Sequence, residues 1–63
     1  MAGYSENIRK YRQEKNLTQK ELAVLAEIHF NTVGRAERGE DIGINQLEAI
    51  AEALGVPLTW LVA

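Results

Sequence analysis

Residues 17–39 read LTQKELAVLAEIHFNTVGRAERG, and the spacing within this stretch decides the fold. Thr18-Gln19-Lys20-Glu21 has the pattern of a capping box. The Thr18 hydroxyl can accept from the Glu21 amide while the Glu21 side chain reaches back to the amide of Thr18. A helix therefore starts here, with Leu22, Ala23, Leu25 and Ala26 as a short apolar face. Only about two turns fit before Glu27-Ile28-His29. A second helix then fits Phe30 to Arg38, and Gly39 stops it. With His29 as its N-cap, Ile28 and Val33 stand at the two ends of a hydrophobic staple, which fixes the angle at which this helix departs.

Two short helices joined by so tight a turn form the corner that presents its second helix to a DNA major groove. The corner needs small residues where the helices cross, and Ala23 and Ala26 supply them. It needs an inward aliphatic from each helix, and Leu22 and Val33 serve. The second helix must leave a polar face outward, expected here as Asn31, Thr32, Arg35 and Arg38. Asn31 and Arg35 are four apart and share that face. An asparagine can bond bidentately to adenine and an arginine to guanine. Gln19, Thr18 and Asn45 fall at helix starts, where free amides favour phosphate oxygens.

Working outward, the same punctuation repeats. A first helix is expected from about Ser5, as N-cap, to Lys15, with Ile8 and Tyr11 facing inward and Asn16 in a left-handed position after it. Asn45 is the expected cap of a fourth helix, with Glu48 at the matching box position. Leu47, Ile50, Ala51 and Leu54 form its stripe and Gly55 ends it. Pro57 opens a last turn of helix bearing Leu58, Trp60 and Leu61. The reading is an all-α fold of five short helices, one domain over residues 1–63. Its predicted core is Ile8, Leu22, Leu25, Val33, Leu47, Ile50, Leu54 and Leu61.

Composition bounds the function. A chain of 63 residues is small for a closed catalytic pocket, and no nucleophile–base pair or phosphate-cradling glycine loop stands out. An enzyme is not expected. The absence of cysteine excludes disulfides and thiolate metal sites and points to a cytoplasmic protein. His29, alone of its kind, cannot build a metal site, so no metal or cofactor is expected. No apolar run approaches the ~20 residues that cross a bilayer. The net charge of −2 hides an asymmetry. All seven basic residues lie at or before position 38 with five acids, leaving +2, whereas Glu40, Asp41, Glu48 and Glu52 leave −4 beyond it. A phosphate backbone responds to the local face and not to that sum.

From Ile8 to Val62 the chain resembles the phage-repressor and Xre-type helix-turn-helix family. The segments that carry the resemblance are IRKYRQEKNLTQKELA, the RAERG ending at Gly39, and LEAIAEALGVPLTWL. It implies a five-helix repressor-like fold that binds double-stranded DNA, commonly as a homodimer and to repress transcription. By position, Gln19 matches a glutamine that contacts the backbone and an outer base, and Phe30, Asn31 and Arg35 match base-reading side chains. Thr18 and Asn45 match phosphate contacts, and Arg12 and Glu37 match a pair that bridges the first and third helices. His29 and Thr32 complete the predicted contact set. Five residues depart from the family pattern or its needs. Glu27 stands where a glycine is usual, Gly34 lies inside a helix, Ala36 replaces a larger aliphatic, and the acids Glu40 and Asp41 occupy a loop expected near phosphates.

Two further expectations follow. The last helix, with Trp60, Leu61 and Val62, is expected to contribute to self-association on DNA. The rival to DNA binding is a protein-interaction module that uses Phe30, Val24 and the acidic later half. No small-molecule ligand is evident.

Overall fold

Glu27, in the middle of the decisive corner, has a left-handed backbone (φ 57°, ψ 42°). In the computed structural model, which describes residues 3–63, it ends α2 (Gln19–Ala26) three residues before α3 (Phe30–Glu37) begins. The Ile28 amide reaches back to the Ala23 carbonyl at 3.0 Å and the Glu27 amide to that of Val24 at 3.2 Å. This is a glycine-type helix termination carried out by a glutamate, so the turn is fully formed at the cost of strain in one residue.

The capping box before α2 is present in both halves. Thr18 Oγ1 accepts from the Glu21 amide at 3.0 Å, and Glu21 Oε1 accepts from the Thr18 amide at 2.8 Å. His29 caps α3 through Nδ1, which accepts from the Asn31 amide at 3.2 Å. Among the described residues the other elements are α1 (Ser5–Glu14), α4 (Ile44–Leu54) and α5 (Leu58–Val62), with no strand. α2 packs against α3 and α4, and α1 closes the other side against α3 and α5.

Two caps differ from expectation. Tyr4 precedes α1 and Ser5 already lies inside it. Gly43 precedes α4, and it is Gln46, not Glu48, that folds back to accept from the Gly43 amide at 3.0 Å. Asn45 is thus an exposed first-turn residue of α4 and not its cap. In both cases the cap falls before the best capping side chain, one residue before Ser5 and two before Asn45.

The core comprises Ile8, Leu22, Ala23, Ala26, Val33, Ala36, Leu47, Ile50, Ala51, Leu54 and Leu61. Seven of the eight predicted core residues are in it. Leu25 is not: it is 57% exposed. The buried arc of α2 runs through Leu22, Ala23 and Ala26, because the two alanines let its neighbours approach closely. That arc turns Leu25 out to the rim of a groove with Ala26, Ala49 and Ala53. Ala36, which stands in place of a larger aliphatic, is fully buried. Among the described residues no helix is long and apolar enough to cross a membrane.

Candidate nucleic-acid interface

The packing of α3 divides its residues cleanly. Thr32, Val33, Gly34, Ala36 and Glu37 are buried, whereas Phe30, Asn31, Arg35 and Arg38 are exposed. Asn31 and Arg35 therefore lie together on the outer face, as their spacing of four predicts. Thr32 does not join them. At 5% exposure it faces the core side, because the helix turns through Val33 and Ala36 and takes Thr32 inward with them. Phe30 is 55% exposed and lays its ring on that of His29, centroids 5.1 Å apart and nearly parallel. The first turn of α3 thus carries an aromatic step on its outer end.

Thr18 and Gln19 are exposed at the start of α2. Gln19 is also tied to α3: its Nε2 donates to Glu37 Oε1 at 3.2 Å. Gly34 makes this approach easy. A Cβ at that position would stand 3.6 Å from Gln19 Oε1 and 3.3 Å from Arg38 Nη1. The missing side chain lets the Gln19 amide and the Arg38 guanidinium lie against the helix.

Behind this face sits a knot centred on Glu37, whose side chain is 1% exposed. Arg12 binds it in a two-point fork, Nε to Oε2 at 2.6 Å and Nη2 to Oε1 at 3.1 Å. Arg12 also donates Nη1 to the Leu17 carbonyl at 2.8 Å. Arg9 adds Nε to Oε1 at 3.3 Å and Nη2 to the Glu37 carbonyl at 3.1 Å. Burial alone would push the Glu37 carboxyl up. The hydrogen bonds from Arg12, Gln19 and Arg9, with the Arg12 charge, outweigh it and hold the group below its ordinary value of 4.5. The Arg12–Glu37 bridge between α1 and α3 is as the resemblance implies. The parts played by Arg9 and Gln19 were not legible, since no local spacing links positions 9, 19 and 37.

A second ionic cluster lies at the outer end of α3. Glu40 receives Arg35 Nε at 3.3 Å and Arg38 Nε at 3.0 Å. Arg35 Nη2 also donates to the Asp41 carbonyl at 3.4 Å. A hydrogen bond from Arg38, joined by a weaker one from Arg35 and by the charges of both, holds the Glu40 carboxyl below its ordinary range against desolvation. The loop itself is anchored by Tyr4, whose hydroxyl donates to the Glu40 carbonyl at 3.2 Å and accepts from the Ile42 amide at 2.9 Å.

A rigid two-helix corner, a polar and partly cationic outer helix face, and a buried ionic strut behind it define a DNA-binding helix-turn-helix protein. Comparison with known proteins gives the same class. The helix-turn-helix family model matches residues 8–61, and the chain belongs to that family, in its phage-repressor and Xre-type form. It is a DNA-binding regulator of transcription. The control protein C.SmaI of Serratia marcescens is 34% identical to it over 58 residues, covering 90% of this chain and 69% of that protein. The crystal structure of the restriction-modification controller protein C.AhdI from Aeromonas hydrophila superposes with a TM-score of 0.88 at 28% identity. That match covers 95% of this chain and 92% of the other.

Proposed function

We propose that the chain is a sequence-specific controller of restriction-modification genes that binds its operator in the cytoplasm as a homodimer, with α3 in the major groove. The observation that carries this reading is the outer face of α3. Asn31 and Arg35 stand side by side on it, exposed, on a helix fixed from behind by the Glu37 knot. Asn31 and Arg35 read bases, Phe30 and His29 cover the groove edge, and Thr18, Gln19 and Asn45 settle the domain on phosphates. The names of the two controller proteins support the regulatory role. Trp60 and Val62, each about half exposed on α5, supply the dimer contact. Leu61, also expected there, is fully buried in its own core.

Selection of bound duplexes from a random pool, followed by footprinting, tests the proposal. The expected result is a palindrome whose half-sites lie about 34 Å apart, bound cooperatively in protein concentration. A single unrepeated half-site without cooperativity would remove the dimer. A salt slope near zero, where a duplex binder shows about −0.9 per phosphate neutralised, would return the interaction-module reading.

A further inference from the structure

All four arginines of the chain are held by two carboxylates, and they are held differently. Glu37 grips Arg12 by a two-point fork in the interior. Glu40 instead touches each of its arginines only through Nε. At Arg35 the contacts fall on one side of the guanidinium. Nε goes to Glu40 and Nη2 to the Asp41 carbonyl, while Nη1 has no protein partner among the described residues. The side edge is occupied and the Nη1–Nη2 end is open, and that end can make a bidentate contact to a guanine edge. The acid that restrains Arg35 is itself restrained. The Glu40 amide donates to the Arg35 carbonyl at 3.0 Å, and Tyr4, just before α1, pins the loop.

We infer that Glu40 is a specificity-determining residue. It orients Arg35 to read DNA end-on and screens Arg35 and Arg38 from phosphates that would otherwise capture them whatever the sequence. The inference rests on the reading of Arg35 as a base contact and adds to it a positioning partner. Two physical terms work together. A guanidinium held before binding loses less rotamer freedom when it meets its base. A carboxylate beside two arginines weakens contacts to phosphate, which are indifferent to sequence, and leaves a two-point contact to a base edge geometrically intact. The acid that the charge distribution sets against DNA binding thus becomes a source of discrimination.

The test compares three variants of the full chain, Glu40→Gln, Asp41→Asn and Arg35→Ala. Each is measured on the selected duplex, its single-base changes and a scrambled duplex at two salt concentrations, with a melting curve as control. Glu40→Gln keeps the size of the side chain and removes the charge. It is expected to bind scrambled duplex several-fold more tightly and to lose several-fold in preference at the base read by Arg35, with an unchanged melting curve. Asp41→Asn removes a charge from the same loop and keeps its main-chain carbonyl, so it is expected to tighten all duplexes in parallel and leave preference intact. If Glu40→Gln moves all duplexes in parallel as Asp41→Asn does, Glu40 is a surface charge and the inference is overturned. If Arg35→Ala keeps full base preference, the failure belongs instead to the assignment of Arg35 as a base reader.

Discussion

Glu37 and Glu40 stand three residues apart at the end of one helix, and each gathers two arginines, yet the two clusters do opposite work. The Glu37 carboxylate is 1% exposed and its main partner Arg12 13%. Glu40 is 48% exposed, with Arg35 at 48% and Arg38 at 62%. Ions removed from water must be satisfied by each other, so the inner cluster is committed to the fold. Ions left in water lose little when they part, so the outer cluster adds little to the fold and is left to face a ligand. The same chemical pair serves as a strut in one place and as a recognition surface in the other, and burial alone decides which.

The largest expected effect comes from cutting the inner cluster. Arg12→Met leaves Glu37 buried without its principal counter-ion, which costs about 3–5 kcal/mol. For a domain this small that is a large share of total stability. Arg38→Met, the matching cut in the outer cluster, is expected to leave urea denaturation within experimental scatter. Equal losses from the two variants would erase the distinction.

Acid sharpens the same contrast. The Glu37 carboxyl is held below its ordinary 4.5 in the folded protein. A depressed folded pKa gives stability that is present above the unfolded value and lost as pH falls through the folded one. Melting temperature is therefore expected to be flat from pH 7 to about 5 and to fall steeply below the ordinary carboxylate value. At about 1 M salt, where screening extends only about 3 Å, the Glu40 pairs are weakened and the buried Glu37 knot is not. The acid transition should survive in high salt. Its disappearance there would place the sensitivity in the outer cluster.

How much of this was legible follows from which interactions are local. The Thr18–Glu21 box and the Gly39 and Gly55 helix ends are set by residues within four of each other, and the sequence reading places all of them. Leu22 and Leu25 fit the α2 stripe equally well in sequence. Only the close approach of the neighbouring helices at Ala23 and Ala26 turns one in and the other out. Thr32 is polar and next to Asn31, and its burial is a matter of helix rotation against the core. The knot around Glu37 joins residues 9, 12, 19 and 37 across three helices, and only the resemblance pointed to any of it. Glu40 was legible as an acid near the expected phosphate track. Its pairing with both arginines was not, because Gly39 reverses the chain between them and no helical spacing connects them.

On DNA the order of importance reverses. Arg35→Ala is expected to cost about 1–3 kcal/mol on the selected site and to flatten preference at one base position. It should leave folding stability unchanged. This exposed residue then matters to binding as Arg12 matters to folding. Binding titrations against every single-base change measure the first, and the same samples melted without DNA measure the second. A destabilised Arg35→Ala protein would mean that the outer cluster is also part of the fold.

The smallest effect is expected outside both clusters, at Asn45. Its side chain is exposed in the first turn of α4, carries no charge and has no hydrogen-bond partner among the described residues. A contact from it to a phosphate oxygen would be one hydrogen bond exchanged for one to water, worth about 0.5–1.5 kcal/mol. Asn45→Ala should therefore weaken selected and scrambled duplexes by the same small factor. The salt slope should stay where it was, because no cation is removed and the count of displaced counterions does not change. A series at four salt concentrations on both duplexes reads these outcomes separately. Parallel lines shifted slightly downward are the expected result. A loss confined to the selected duplex would make Asn45 a base reader and carry sequence recognition beyond α3, to the start of α4.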